Sequence, residues 1–210
     1  MRRKKKPSRI ATDTYAFVVD GITEVCYLQM LKRNERQLNV NIEPKLPHKK
    51  TLVDQYELVL RLATDYTRVF WIVDYDVITK QTKESRKGKE TDEELFIRLR
   101  GKLARVSNVL VIVNNPCIEL WFLLHFVQTS KFHSACSSVE KQLKKHITDY
   151  QKSQKYLTRQ GNDIYLKLRK HLPQAKGNSK ALGFDMNNTQ KAICEMNHFF
   201  KMKEISTMLN

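Results

Sequence analysis

The sequence lacks several features that define common classes of protein. No apolar run approaches the roughly 18 residues that a membrane-spanning helix needs, and no apolar segment follows the basic N-terminal residues, so we expect no secretory signal. The chain contains neither a P-loop nor a GxGxxG motif, which leaves a nucleotidyl- or phosphotransferase without support. We therefore expect a cytoplasmic protein.

Cysteine is sparse, and its four positions are far apart without a CxxC pair. Such spacing supports neither a zinc site nor a disulfide framework. We interpret all four side chains as the reduced thiols of a cytoplasmic protein. These residues are Cys26, Cys117, Cys136 and Cys194.

Basic residues, in contrast, are abundant. The chain has 38 Lys and Arg against 22 Asp and Glu, which gives a net charge of +16. An excess of this size favours a polyanionic partner, with nucleic acid ahead of an anionic membrane surface. The alternative is a basic protein that has no such partner, or one whose charge is neutralised by an acidic protein.

Predicted strands and helices alternate between residues 15 and 127, which indicates a three-layer α/β domain with a largely parallel sheet. From residue 130 onward the periodicity favours helices alone, over residues 135–146, 163–171 and 186–208. We therefore divide the chain into a basic flexible tail, an α/β domain and an all-helical C-terminal region packed on that domain. Their bounds are residues 1–13, 14–128 and 129–210.

The run FWIVDYD, at residues 70–76, is the most informative stretch. Its bulky uncharged part predicts a strand that is buried on both faces. Side chains in a strand repeat with period two, so Asp74 and Asp76 are expected to point to the same side, where a divalent cation would relieve their repulsion. The alternative is that one carboxylate caps a turn and the other is solvated. We interpret the polar segment after this run, residues 79–92, as a mobile basic loop.

Acidic and polar residues also follow two other predicted strands. Asp20 and Glu24 follow the first strand, and Asn115 and Glu119 follow the strand predicted over residues 108–113. Functional groups of parallel sheets gather at the carboxyl ends of the strands, so these residues are expected to converge. A helix that begins at Pro116 would place Asn115 and Glu119 one turn apart on one face.

Two ionisable residues lie in the apolar helix predicted over residues 117–127. A carboxylate in such a helix needs a partner or stays protonated, so Glu119 either takes part in the site or caps an amide or pairs with an arginine. His125 lies nearly two turns further on. A buried structural role for this histidine is as well supported as a catalytic one.

The helical region carries basic residues interleaved with Tyr150, Tyr156 and Tyr165. This pattern suits phosphate contacts together with stacked bases, and it equally suits solvated helix faces with core tyrosines. The candidate nucleic-acid-binding residues are Asn115, Lys141, Lys144, Lys145, Lys152, Lys155, Arg159, Lys167 and Arg169.

Three runs resemble the RloB-like proteins, which are Toprim-fold, AbiLii-type proteins found beside restriction, abortive-infection and other phage-defence genes. They are VVDGITEVCYL at residues 18–28, VDYD at residues 73–76 and NNPCIELWFLLHF at residues 114–126. The third run is specific, whereas a DxD motif alone is weak. The resemblance covers the whole α/β part, and in the helical part it extends loosely to Tyr150 and Lys152.

The resemblance implies a Toprim domain that binds Mg²⁺ or Mn²⁺ and supports phosphodiester chemistry. Asp20, Asp74 and Asp76 take the positions of its metal ligands. Glu24, Glu119 and His125 join them as candidate catalytic residues, and Asn115 and Trp121 match other motif positions. The family usually has Glu at position 20, Ser at 114 and Phe at 118, and the shorter Asp20 puts the reach of a general acid or base in doubt.

These observations predict a metal-dependent nuclease effector in anti-phage defence, acting on DNA or on structured RNA such as tRNA. The alternative is a catalytically weakened nucleic-acid-binding or regulatory subunit that works with an ATPase encoded nearby. We expect no membrane partner. The sequence leaves open whether the chain forms a homo-oligomer.

Overall fold

The computed structural model describes residues 13–36, 41–46, 48, 50–84 and 89–209. Five strands form one sheet in the order β2-β1-β3-β4-β5. The first four pair in parallel, and β5 runs antiparallel to β4. The strands are β1 (Thr14–Val18), β2 (Asn41–Lys45), β3 (Arg68–Asp74), β4 (Val109–Asn115) and β5 (Ile193–Cys194). The predicted α/β fold with a mostly parallel sheet is confirmed.

Five helices connect or follow the parallel strands, and two of them begin with a clear capping residue. Thr51 accepts a hydrogen bond from the backbone N–H of Asp54, and Thr91 forms a capping box with Glu94. These helices are α1 (Ile22–Asn34), α2 (Leu52–Ala63), α3 (Tyr75–Glu84), α4 (Asp92–Leu103) and α5 (Glu119–Leu124).

The strand β3 is buried on both faces, as its apolar sequence predicts. Phe70 and Ile72 face a core shared with α1, α5 and the C-terminal helices. Trp71 and Val73 face a second core shared with α2 and α4. The period-two alternation of the strand therefore supplies both layers that cover the sheet.

The C-terminal region is mostly helical, but the prediction that it is all helical is wrong. β5 lies within the predicted helix over residues 186–208 and adds a fifth strand to the sheet, so this region contributes to the sheet as well as covering it. Its helices are α6 (Cys136–Leu143), α7 (Gln154–Leu157), α8 (Ile164–Arg169), α9 (Leu172–Asn178), α10 (Asn197–Phe200) and α11 (Lys203–Leu209).

Two further predictions need correction. The helix α3 occupies the first half of the predicted basic loop at residues 79–92. It forms there because Tyr75 and Ile78, on its apolar face, pack against the core. The helix after β4 begins at Glu119 and not at Pro116, because β4 continues through Asn115 in order to pair with β5. The middle of that predicted loop and nearly all of the predicted basic tail lie outside the described residues. In the described part of the chain, no helix is both long and apolar enough to cross a bilayer.

Candidate active site

The carboxyl ends of β1, β3 and β4 lie at one edge of the sheet, because these adjacent strands run parallel. Asp20 lies just beyond β1. Asp74 ends β3 and pairs in register with Asn114 of β4. Five carboxylates meet at this edge, and we call them the acidic cluster. Its members are Asp20, Glu24, Asp74, Asp76 and Glu119.

The pKa of Asp74 lies well above its ordinary value. Burial is the main cause, and the negative charges of the other four members of the acidic cluster raise the pKa further. The Oδ1 atom of Asp74 is enclosed and has no hydrogen-bond partner among the described residues. A carboxylate in such surroundings either keeps its proton or is balanced by a cation.

Glu24 lies in the first turn of α1 and is almost completely buried. Burial is the main reason that its pKa rises to about 7. The charges of Glu119 and Asp20 raise the pKa further, while a backbone hydrogen bond and Lys152 lower it. A carboxyl group with this pKa can either donate or accept a proton near neutral pH.

Because Gly21 has no side chain, the Glu24 carboxylate can lie close to the backbone at position 21. A Cβ atom at position 21 would lie 2.9 Å from Oε2 of Glu24. The backbone of Gly21 is extended, with φ of −142°, so the position requires glycine for close approach and not for an unusual dihedral angle.

Asp20 is half-buried, and its pKa is raised by burial against the lowering effects of Gln55 and Lys50. Nε2 of Gln55 lies 3.4 Å from Oδ1 of Asp20. Oε1 of Gln55 accepts a hydrogen bond of 2.7 Å from Nε1 of Trp71 in β3. Gln55 therefore links the Asp20 carboxylate to the core of the sheet, a role that its position in α2 did not suggest.

Asp76 belongs to the first turn of α3, so it does not continue the strand that ends at Asp74. The period-two argument for these two residues was therefore wrong, although both carboxylates belong to the acidic cluster. The backbone N–H of Asp76 donates to the carbonyl of Pro116 at 3.4 Å. Burial is the main reason that the pKa of Asp76 is raised.

Glu119 is completely buried at the start of α5 and has two partners from the C-terminal region. The hydroxyl of Tyr150 donates to Oε1 of Glu119 at 3.1 Å, and Nζ of Lys152 lies 2.9 Å from the same atom. The expected alternatives, a cap or an arginine pair, are replaced by this lysine and tyrosine. The charge of a buried carboxylate is thereby balanced.

Lys152 brings a positive charge to the acidic cluster. Burial lowers the pKa of this lysine, but the attraction of Glu119, the hydrogen bond to it and the charges of Asp74 and Glu140 outweigh that effect and raise the pKa. We predicted Lys152 as a phosphate-binding residue of the helical surface. The structure instead pairs it with Glu119, at the site.

The donor set of the acidic cluster fits a hard divalent cation, because such cations prefer carboxylate oxygens. The unpartnered Oδ1 of Asp74 supports this fit, and both side-chain polar atoms of Asn114 beside it also lack partners among the described residues. Asp20, Asp74 and Asp76 do not place one carboxylate oxygen each within 4.8 Å of one another. Among the described residues, the set that meets this spacing is Cys117, Glu119 and Cys136.

Two predicted site residues lie in other surroundings. Nδ2 of Asn115 donates to the carbonyls of Thr189 and Lys191 at 3.0 and 2.9 Å, so this side chain holds the segment before β5. Nδ1 of His125 lies 2.8 Å from the carbonyl of Trp121, and burial lowers the pKa of this histidine to about 3. No member of the acidic cluster perturbs that pKa. These contacts fit the structural interpretation of His125.

The other predicted nucleic-acid-binding cations fall into two groups. Lys167 pairs with Asp149 at 3.4 Å, and Arg169 pairs with the buried Glu35. The remaining five are exposed and form no ion pair with a residue that the structure describes; we call them the basic surface. They are Lys141, Lys144, Lys145, Lys155 and Arg159.

The three tyrosines of the helical region are core residues. Each is buried, and its hydroxyl donates to a carboxylate of the same chain: Tyr150 to the buried Glu119, Tyr156 to the exposed Asp149 and Tyr165 to the buried Glu35. Stacking of bases on these rings is therefore not available, and the interpretation as core residues is correct.

Cys117 and Cys136 form a disulfide bond, so the interpretation of all four cysteines as reduced thiols was wrong. Their distance in sequence gave no signal, because the folding of α5 and α6 against each other brings them together. Cys26 and Cys194 are free and buried.

A model of the RloB-like protein family matches residues 15–208 of the chain. The match includes the acidic cluster and the segment between α6 and α7 that supplies Tyr150 and Lys152. No curated protein and no solved structure matches the chain.

Proposed function

The chain belongs to the RloB-like family, and from this membership and its acidic cluster we propose that it is a divalent-metal-dependent nuclease of the Toprim type that acts in anti-phage defence. The observation that carries the proposal is the environment of Asp74. Burial and four neighbouring carboxylates raise its pKa, and its Oδ1 has no described partner. The ammonium groups of Lys152 and Lys50 do not balance five carboxylates, so the cluster suits a bound Mg²⁺ or Mn²⁺.

The residues of the acidic cluster would have different roles in the reaction. Asp20, Asp74 and Asp76 would hold the cation. When bound, the cation would polarise the scissile phosphate and lower the pKa of a water molecule. Glu24, whose pKa is about 7, would accept the proton that this water loses as its oxygen bonds to phosphorus. The leaving oxygen departs with the P–O bonding electrons and takes up a proton from solvent.

Lys152 and the basic surface would bind the phosphates of the substrate. Lys152 is balanced by Glu119 at the cluster, and its ammonium group would also contact a phosphate held there. The exposed cations Lys141, Lys144, Lys145, Lys155 and Arg159 would contact the backbone of DNA or RNA away from the scissile bond.

Cleavage assays with Mg²⁺ or Mn²⁺ test the proposal on duplex DNA, single-stranded DNA and total tRNA. We expect wild-type protein to cleave one of these, and the Asp74→Asn/Asp76→Asn variant to lose cleavage at least a hundredfold. Asp65→Asn, which removes an exposed carboxylate in the turn after α2, should cleave like wild type. Equal cleavage by wild type and the double variant would identify a contaminant and reject the proposal.

The second candidate is a nucleic-acid-binding or regulatory subunit that depends on a partner ATPase. The observation in its favour is that Asp20, Asp74 and Asp76 are not drawn together to a metal-ligand spacing, and Asp20 stands where the family usually has Glu. This candidate predicts nucleic-acid binding without cleavage by the isolated chain. Addition of the neighbouring ATPase to the same assay separates two cases. A nuclease that is inactive in isolation should then cleave, whereas a subunit that has no catalytic role should not.

A further inference from the structure

The disulfide of Cys117 and Cys136 joins two parts of the molecule at the acidic cluster. Cys117 lies between β4 and α5, whereas Cys136 is the first residue of α6. Sγ of Cys136 lies 3.1 Å from Oε2 of Glu119 and 3.5 Å from Nζ of Lys152. The sulfur, the carboxylate and the ammonium group therefore contact one another.

The two cysteine residues differ in exposure. Cys117 is buried, with 1% of its surface exposed, whereas Cys136 is partly exposed. An incoming thiolate attacks the sulfur that it can reach, and the ammonium group of Lys152 beside Cys136 attracts its negative charge. Cys136 is therefore the residue at which we expect the attack.

The state of the pair changes the contacts of Glu119. A disulfide sulfur carries no hydrogen, so Oε2 of Glu119 receives no hydrogen bond from Cys136 while the bond is intact. A thiol at Cys136 would donate S–H to that oxygen. Reduction also removes the covalent link between α6 and the segment that precedes α5.

We propose that Cys117 and Cys136 are a reversible redox pair, opened by a dithiol reductant, and that their state is coupled to the Glu119–Lys152 ion pair. The proposal goes beyond phosphodiester cleavage and does not depend on it. A thiolate of the reductant bonds to Sγ of Cys136, and the S–S bond breaks with its electrons on Sγ of Cys117, which takes up a proton. The second thiolate of the reductant then attacks the reductant's own sulfur in this mixed disulfide. Cys136 leaves with the S–S bonding electrons and takes up a proton, so two electrons and two protons enter the protein and the reductant becomes a disulfide.

Coupling is reciprocal, so changes in Glu119 or Lys152 must change the redox equilibrium of the pair. Glu119→Gln removes the negative acceptor for the S–H of Cys136 and therefore favours the disulfide. Lys152→Met leaves the Glu119 carboxylate without its cation, so the S–H donor stabilises it more and the thiols are favoured. We expect the two variants to shift the equilibrium constant for reduction in opposite directions, each by about tenfold, which corresponds to roughly 30 mV.

The experiment equilibrates the folded protein in dithiothreitol buffers of graded redox potential, blocks all free thiols in denaturant with a maleimide of known mass and counts them by mass spectrometry. We expect wild type to carry two labels, on Cys26 and Cys194, in oxidising buffer, and to gain the two on Cys117 and Cys136 together in reducing buffer. Lys102→Met and Glu57→Gln, which neutralise exposed residues of α4 and α2, should share the wild-type midpoint.

Three results would overturn the proposal. The first is the presence of four free thiols in wild type in oxidising buffer, and the second is a midpoint that is the same in Lys152→Met, Glu119→Gln and the two controls. The third is stoichiometric protection of the reduced thiols by added Zn²⁺ with no disulfide formed, which would assign Cys117, Glu119 and Cys136 to a metal site. Because the measurement counts thiols, it stands even if the protein cleaves no nucleic acid.

Discussion

Nζ of Lys152, from the C-terminal helical region, lies 2.9 Å from Oε1 of Glu119 at the start of α5. The carboxylate is fully buried, whereas 41% of the lysine side chain is exposed. The charge of Glu119 therefore depends on a residue from another part of the chain, and the helical region completes the site as well as covering the sheet.

Breaking this ion pair should destabilise the protein. Lys152→Met leaves the buried Glu119 carboxylate without its cation, and we expect the free energy of unfolding at pH 7 to fall by about 1–2 kcal/mol, less than for a fully buried pair because the lysine is partly exposed. Urea unfolding measures the change.

The double variant Lys152→Met/Glu119→Gln tests the cause. Removing both charges leaves no unpaired carboxylate, so it should be more stable than Lys152→Met alone. Lys102→Met serves as the control for losing an exposed lysine. A double variant whose loss equals the sum of the two single losses would contradict a direct interaction.

The raised pKa of Glu24 should make stability depend on pH. The folded state holds this proton up to about pH 7, whereas the unfolded chain releases it near the ordinary glutamate pKa of 4.5. The stability that the proton provides is therefore present below pH 4.5 and is lost as pH rises through about 7. At pH 8 the wild type carries a buried charge that Glu24→Gln lacks.

We therefore expect Glu24→Gln to be more stable than wild type at pH 8, by roughly 1–3 kcal/mol, and the difference to shrink toward pH 5. Chemical denaturation at both pH values, without divalent cations, measures it. Glu57→Gln, at an exposed position of α2, should show no such trend. A Glu24→Gln variant that is less stable than wild type at pH 8 would show that the carboxylate is held by favourable contacts.

Much of the fold could be predicted because its signals are local. The strands β3 and β4 were predicted at nearly their observed bounds, since a short run of bulky uncharged residues indicates a buried strand by itself. β5 was missed because it has two residues, and its pairing with β4 is fixed by tertiary contacts.

The acidic cluster was predictable in part for the same reason. Asp20 and Asp74 follow apolar strands, and parallel strands end at one edge. The partners of Glu119 were not predictable from spacing, because Tyr150 and Lys152 lie in a region whose packing the sequence does not show. Asp76 joins the cluster through the start of α3, whereas we had assigned it to the strand.

Gly21→Ala should disturb the site with little effect on stability. The added Cβ would lie 2.9 Å from Oε2 of Glu24, so the carboxylate must move, but a flexible side chain can do so at a cost below about 1 kcal/mol. We expect Mn²⁺ affinity, measured by calorimetry, to fall severalfold.

Gly101→Ala is the matched control, because a Cβ at this position in α4 meets nothing within 4 Å. It should keep the Mn²⁺ affinity of wild type and gain roughly 0.5–1 kcal/mol from helix propensity. Equal Mn²⁺ affinity in the two alanine variants would mean that the position of the Glu24 carboxylate does not matter for the metal.

Loss of the disulfide should lower stability. Cys117 and Cys136 are 19 residues apart, and a loop of this length is expected to contribute about 3 kcal/mol by restricting the unfolded chain. Urea unfolding with and without dithiothreitol measures the loss. The Cys117→Ser/Cys136→Ser variant should match reduced wild type and be insensitive to dithiothreitol, and sensitivity in that variant would point to another thiol.

The basic surface should determine how nucleic-acid affinity depends on salt. Each phosphate contact releases a counterion, so log K falls with log salt by about 0.9 per contact on duplex DNA. Replacing Lys141, Lys144 and Lys145 with methionine should weaken binding to all sequences alike. It should also reduce the slope of log K against log salt by the amount that up to about three phosphate contacts contribute. Arg61→Met/Lys102→Met, which neutralises exposed cations on α2 and α4, is the control. If the slope changes in the control and not in the triple variant, nucleic acid binds over α2 and α4 and not over the C-terminal helices.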